Sequence, residues 1–291
     1  MARPSRSRSR AQTTDALSVT FWGVRGSIPA PGSTTRRFGG NTPCVEVRFG
    51  DQLVIFDLGS GARALGDSLD PDGVQASIFV SHYHYDHLQG LPFFGAIFNP
   101  KNRFTFWGPS RNGLGVREIL AGQMVQPYFP VTAEMVFRAA VDYRELVPGE
   151  QVALGEGTLR SLELNHPGGN LGYRVDFKGK SVVYATDIEH GAADFDERFF
   201  EFARGADLLI YDAMYTDDEY LGRTGAPPKT GWGHSTWQAA VRAADRSEAK
   251  KLVLFHHEPT RDDAGMEKLL RAVRKFRPEA EAARETVTLR A

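Results

Sequence analysis

The sequence predicts a layered α/β fold, and three observations predict it. Short runs of β-branched and aromatic residues recur along the chain, each the length of one strand. Stretches with apolar residues at helical spacing lie between them. Each apolar run gives way to a carboxylate or a histidine where the strand ends, as happens when ligand-bearing loops gather at one edge of a rigid sheet.

In chain order, "QLVIFD" ends at Asp57, "SIFVSH" at His82, "LRSLELNH" at His166, "SVVYATD" at Asp187, "DLLIYD" at Asp212 and "KLVLFH" at His256. Most of these runs lack a polar face, so they read as strands covered on both sides. The clearest helices are "STWQAAVRAADR", capped by Ser235 or Thr236, and "GMEKLLRAVRKF". In the second, Met266, Leu269, Leu270, Val273 and Phe276 hold a helical spacing.

The chain of 291 residues suits a single domain from residue 17 to residue 291. The arginine- and serine-rich start, residues 1–16, reads as a solvated, disordered tail. A net charge of -1 supplies no global basic field, which disfavours nucleic acid as a partner while leaving a local basic patch open. The single cysteine, Cys44, excludes an intrachain disulfide and a thiolate-built zinc site, and the cytoplasm is the expected compartment. No apolar run approaches the ~18 residues of a membrane helix, so no membrane is expected.

Histidine placement is the informative feature. Of the 8 histidines, His82, His84 and His87 follow one strand, His166, His190, His256 and His257 sit at or past others, and His234 opens a helix. A lone loop histidine is usually just solvated. Together, with strand-end carboxylates and no cysteine, they are the ligand types that suit zinc, iron or manganese. In a loop leaving a strand, His82 and His84 can face one metal while Asp86 and His87 turn toward a second.

The motif HxHxDH at His82, His84, Asp86 and His87 resembles the metallo-β-lactamase superfamily. His166, Asp187 after "VVYAT", His256 after "LVLF" and the "FDLGSG" turn from Phe56 match it in order. The resemblance implies an αββα sandwich, two mixed sheets flanked by helices, with two divalent metal ions in the cleft. Zinc is the first expectation, with manganese or iron as alternatives. It assigns His82, His84 and His166 to one metal, Asp86, His87 and His256 to the other, and Asp187 to the bridge. True β-lactamases place a cysteine where Asp187 stands, which disfavours β-lactam hydrolysis. The stretch "GWGHSTWQAA" resembles the histidine-serine-threonine motif of ribonuclease Z and its phosphodiesterase relatives. In "LLIYDAMY", Asp212 takes the place of the glutamate that orients this histidine, so His234 is the expected proton donor and Asp212 its support.

Ribonuclease Z also carries an inserted arm that grips tRNA, and "YRVDFKGKSVVYAT" has none. The start "FWGVRGSIPAPG", followed by "RRFGGNTPCVEV", instead resembles small-phosphodiester and cyclic-nucleotide hydrolases of the superfamily. Arg25, Ser27, Asn41 and Thr42 are the expected substrate contacts, although turn chemistry accounts equally for Asn41. The resemblance thus implies hydrolysis of a small or cyclic phosphodiester, a cyclic nucleotide above all, by water activated between two metals, with Asp86 orienting that water. A ribonuclease Z-like nuclease and a non-catalytic metal or nucleotide sensor are the rival readings, and relatives imply a homodimer. His257 either supports His256 or exchanges roles with it. His190 and Cys44 read as structural.

Overall fold

The structure, a computed structural model, describes residues 14–291. The expected tail lies outside the described residues except for Thr14, Asp15 and Ala16, which open the first strand. That strand is β1 (Thr14–Gly23), followed by β2 (Cys44–Gly50), β3 (Gln52–Phe56), β4 (Gln75–Phe79), β5 (Arg103–Gly108) and β6 (Ala140–Glu145). The second half contributes β7 (Gln151–Leu154), β8 (Gly157–Leu164), β9 (Asn170–Phe177), β10 (Lys180–Ala185), β11 (Leu208–Asp212), β12 (Leu252–Phe255), β13 (Glu281–Ala282) and β14 (Thr288–Arg290). They form two seven-stranded sheets, ordered β14-β1-β2-β3-β4-β5-β6 and β13-β12-β11-β10-β9-β8-β7.

Both sheets are mixed in the same way. In the first, β14, β1, β2 and β3 pair antiparallel while β3 through β6 run parallel. In the second, β7 through β10 are antiparallel while β10 through β13 are parallel. The six strands read from the sequence are β3, β4, β8, β10, β11 and β12. Strands such as β5 and β7 escaped that reading because buried and exposed residues alternate along them, which breaks up any apolar run.

Aromatic rings fill the space between the sheets. Phe56 stacks on Tyr173 and Tyr184 at centroid distances of 5.3 and 5.0 Å. Both tyrosine hydroxyls are satisfied in the dry interior, donating to the carbonyl of Val80 at 2.5 Å and to Asp57 at 2.8 Å. Eight α-helices lie among the described residues: α1 (Ala62–Ser68), α2 (Tyr85–Leu88), α3 (Val116–Gly122), α4 (Ala133–Val136), α5 (Ala193–Phe202), α6 (Asp217–Tyr220), α7 (Trp237–Arg246) and α8 (Asp263–Val273). Helices α1 and α3 pack on the outer face of the first sheet, and α5, α7 and α8 on that of the second, giving the expected four layers.

Local signals set the helix ends. Thr236, rather than Ser235, caps α7 by accepting the N–H of Ala239 at 3.1 Å. Helix α8 stops at Val273, short of the expected end, so Phe276 lies beyond the helix, exposed and against the ring of Trp237. Only Lys178 and Gly179 separate β9 from β10, a minimal hairpin with no inserted arm. Among the described residues no helix is long and apolar enough to cross a membrane.

Candidate active site

Parallel strands place their carboxyl ends on the same side, and here those of β3, β4, β10, β11 and β12 converge on one edge of the sandwich. The chain leaves three of these strands through residues in the left-handed region: Asp57 (φ 60°), Asp187 (φ 52°) and His256 (φ 58°). Such a conformation costs a non-glycine residue roughly 1–3 kcal/mol, and it persists where surrounding bonds fix it. At all three positions it turns a polar side chain inward.

All seven expected ligand residues meet there. One nitrogen each from His82, His84 and His166 lies within 4.8 Å of the others, and one atom each from Asp86, His87, Asp187 and His256 forms a second group by the same measure. In the second group, Nε2 of His87 is 3.3 Å from Asp86 Oδ2 and 3.2 Å from Asp187 Oδ2, and Nε2 of His256 is 3.2 and 3.3 Å from the same atoms. Ligands ~2.0–2.1 Å from a tetrahedral cation stand about 3.3 Å apart, so the spacing fits. Asp187 lies between the groups, its Oδ1 turned to His82 at 3.8 Å and its Oδ2 to His87 and His256.

Two features of the donor set fit divalent cations. Nε2 of His82 and of His87 are buried without a hydrogen-bond partner. Asp57, Asp86, Asp187 and Asp212 are all buried within the same cluster, a concentration of negative charge that is costly without compensation. Burial holds His82, His84 and His166 below the usual imidazole range, keeping their ring lone pairs available. Burial alone would raise Asp187, but His256, His87 and His82 outweigh it and hold the carboxyl well below its usual range.

Surrounding bonds fix several of the ligands. His87 donates from Nδ1 to Asp57 at 2.9 Å, and Asp57 also accepts the amide and hydroxyl of Ser81. Sequence reading left Asp57 without a role, although its place at a strand end was the available signal. His166 donates from Nδ1 to the carbonyl of Gly233 at 2.9 Å, and the amide of Ser27 donates to Asp86 at 2.8 Å. Asn170 donates to the carbonyls of Thr186 and Asp187, holding that turn in place. Such outer contacts set both the tautomer and the aim of a ligand.

His234 and Asp212 also meet, with Nδ1 donating to Oδ2 at 2.9 Å. The other carboxylate oxygen accepts the amides of Met214 and Ser235, so Asp212 is itself fixed. Burial disfavours the charged ring of His234, but Asp212, Asp187 and Asp86 prevail and raise its pKa to about 9. His234 lines a cleft of about 360 Å³ with Ser27, Tyr83, His84, Tyr85, Asp86 and Asp187. A cavity of about 380 Å³ at the opposite end of the sandwich, beside Phe49 and Phe177, holds none of the ligand-type clusters.

Three of the four expected substrate contacts lie elsewhere. Arg25 is wholly buried and spends its guanidinium on the carbonyls of Gly39, Glu258 and Arg261, clamping loops together. Asn41 is bonded to Glu285 and Ser60. Thr42 is buried, accepting from the amide of Ser60 and from Gln89. Ser27 alone of the four reaches the cleft. His257 turns away from the cluster and donates from Nε2 to the carbonyl of Ala283 at 2.8 Å, and burial first, then Arg25, lowers its pKa to about 3. His190 packs on the Tyr220 ring at 4.8 Å, and Cys44 is buried.

Comparison with known proteins agrees with this architecture. The family model of the beta-lactamase superfamily domain matches residues 56–257. Ribonuclease Z of Pyrococcus furiosus is 24% identical to the chain in a match covering 84% of this chain and 87% of that protein. The metallo-beta-lactamase fold protein YhfI from Bacillus subtilis superposes with a TM-score of 0.70 at 20% identity, covering 96% of this chain and all of that one (100%). The short form of human tRNase Z gives a TM-score of 0.66 at 22% identity, over 94% and 98% of the two chains.

Proposed function

The chain belongs to the metallo-β-lactamase superfamily of hydrolases, and from that membership we propose that it is a two-metal phosphodiesterase acting on a small or cyclic phosphodiester, a cyclic nucleotide foremost. The observation that carries this reading is the His234–Asp212 pair, bonded at 2.9 Å, with the His234 ring on the wall of the cleft beside the ligand residues His84, Asp86 and Asp187. Metal ligands alone suit many hydrolyses. An imidazole oriented by a carboxylate adds a proton donor, which the alkoxide leaving group of an alkyl phosphodiester requires.

His82, His84 and His166 would hold one divalent cation and Asp86, His87 and His256 the other, with one oxygen of Asp187 toward each. Zinc foremost, or manganese or iron, bound there supplies Lewis acidity and lowers the pKa of water from 15.7 toward about 7. Asp86, held by the Ser27 amide at the cleft wall, orients the attacking water. Because Asp212 engages Nδ1 of His234, Nε2 is the atom that delivers a proton to the departing oxygen. The modest cleft and the short Lys178-Gly179 hairpin support a compact substrate over a folded RNA.

A ribonuclease Z-like nuclease is the second reading, supported by the ribonuclease Z relative that matches most of the chain. One experiment separates the two. Zinc-loaded protein is assayed against bis-p-nitrophenyl phosphate, a panel of cyclic nucleotides and a tRNA precursor with a 3′ extension. Turnover of a cyclic nucleotide is expected; cleavage of the RNA alone would replace this reading with the nuclease, and turnover of none would overturn both.

A further inference from the structure

Glu189 belongs to neither ligand cluster, yet its carboxylate is buried and receives three hydrogen bonds. Oε1 accepts from the hydroxyl of Tyr220 at 2.6 Å and from the amide of Gly231 at 2.6 Å, and Oε2 accepts from the amide of Gly233 at 2.8 Å. Its backbone is fixed as well. The Glu189 N–H donates to the carbonyl of Asn165 at 2.8 Å, and Asn165 Nδ2 donates back to the Glu189 carbonyl at 2.9 Å. Asn165 immediately precedes His166, Asp187 lies two residues before Glu189, and His234 immediately follows Gly233. One residue therefore ties together three segments that carry site residues.

The bond to Gly233 matters most, because Gly233 lies between the carboxylate and two functional rings. Its carbonyl accepts Nδ1–H of His166 at 2.9 Å. Its φ is +83°, and a Cβ there would lie 2.1 Å from Nδ1 of His166, so the backbone itself forms the wall against which that ring rests. Hydrogen bonds to a charged, buried acceptor are stronger than neutral ones, so Glu189 holds this wall more firmly than loop packing alone would.

We infer that Glu189 is a positioning residue that acts through Gly233 on His166 and on His234 together, fixing a metal-ligand ring and the proton donor with a single buried carboxylate. Only the rate measurements below rest on the phosphodiesterase reading; the zinc titration stands apart from it.

The test uses Glu189→Gln in the full chain, since the amide leaves one acceptor oxygen but sets an NH2 group against a backbone donor. Competition with a chromophoric chelator should show one of two zinc equivalents weakened about 10-fold, the lower end of what loss of an outer contact to a ligand costs. At saturating zinc, kcat on a cyclic nucleotide should fall roughly 10-fold, short of the roughly 10²- to 10⁴-fold that proton donation is worth because the donor is misaimed and not removed, while kcat on bis-p-nitrophenyl phosphate changes little. In a His234→Ala background that selective loss should vanish, because coupled residues are not additive. Tyr220→Phe removes one of the three bonds and should give the same pattern in weaker form, which keeps the test valid if Glu189→Gln does not fold. Unchanged zinc affinity, with rate losses equal on both diesters and additive with His234→Ala, would overturn the inference. If the unaltered protein cleaves neither diester, the functional reading falls, while the zinc titration still decides the role of Glu189.

Discussion

Nδ1 of His87 lies 2.9 Å from Oδ2 of Asp57, and neither side chain reaches solvent. The bond fixes the tautomer that leaves Nε2 bare toward Asp86 and Asp187, while the hydroxyl of Tyr184 holds the same carboxylate oxygen from the aromatic core. Core packing between the sheets is thereby linked to the aim of a ligand.

Asp57→Asn is therefore expected to weaken zinc binding about 10- to 100-fold, the usual effect of losing an outer partner of a ligating histidine. Zinc competition titration checks this, and an unchanged affinity would mean that His87 is held by packing alone.

Asp187 turns one oxygen to each ligand group, so its removal should uncouple them. We expect two zinc equivalents per chain in the unaltered protein and at most one in Asp187→Ala, with hydrolysis of any diester nearly abolished. Elemental analysis after dialysis measures the stoichiometry; two retained equivalents in the variant would remove Asp187 from the bridging position.

Gly26 packs against His256 so closely that a Cβ would lie 2.6 Å from Nδ1 and Cε1 of the ring. Gly26→Ala must displace either the loop or the ligand, and overpacking of this kind costs about 1–3 kcal/mol. Gly122→Ala is the matched control, since a Cβ there meets nothing within 4 Å and alanine is the better residue at a helix position. Urea melts should show loss in the first and none in the second, and metal affinity should fall only in the first.

The residues of this site were legible where strand pattern and chemistry coincided. His82, His166, Asp187, Asp212 and His256 each stand where an apolar run stops, and His234 precedes a capped helix. Arg25 and Asn41 lie off the cleft for one physical reason, whereas Thr42 is engaged by the nearer Ser60 and Gln89. An arginine or asparagine in a glycine-rich loop reads as a free donor until the C-terminal segment returns to cover it, and Glu258, Arg261 and Glu285, which engage Arg25 and Asn41, lie more than two hundred residues away. Glu189 was invisible for a similar reason, because its partners at Gly231 and Gly233 arrive only through the tertiary fold. The left-handed turns at Asp57, Asp187 and His256 carry no sequence mark, since no glycine occupies them.

Asp207 offers a pH test remote from the metals. Its carboxylate is buried, accepts Lys180 at 3.1 Å and Lys250 at 2.9 Å through Oδ1, and accepts the amide of Ser181 at 2.9 Å through Oδ2. Burial would raise its pKa, but these bonds outweigh it and lower the value below 3.8. A carboxyl depressed by folding stabilises the protein above its unfolded pKa, and that contribution is lost as pH falls through the folded value. Asp207→Asn should accordingly be less stable than the unaltered protein at pH 7, by about 1.5–3 kcal/mol for a hydrogen bond to a charged group. The gap should close as the pH drops below 3.8. Denaturant melts of both proteins at pH 7 and at successively lower pH measure it; a gap that is constant with pH would show that the ionised form is irrelevant.

The last prediction separates proton donation from metal holding at His234. Its Nδ1 is occupied by Asp212, and its ring lines the cleft. His234→Ala should keep both zinc equivalents and its fold. It should lose roughly 10²- to 10⁴-fold in rate on a cyclic nucleotide, whose alkoxide leaves poorly, and far less on bis-p-nitrophenyl phosphate, whose phenolate departs unaided. Asp212→Asn should act in the same direction but more mildly, since it disturbs the tautomer and orientation of the ring without removing it. Metal loss decides between roles here, because Asp212 and His234 also fall with Asp187 and His256 in a third group of ligand-type atoms. If both variants lose a zinc equivalent, or slow both substrates equally, His234 belongs with the ligands and the proton must come from elsewhere.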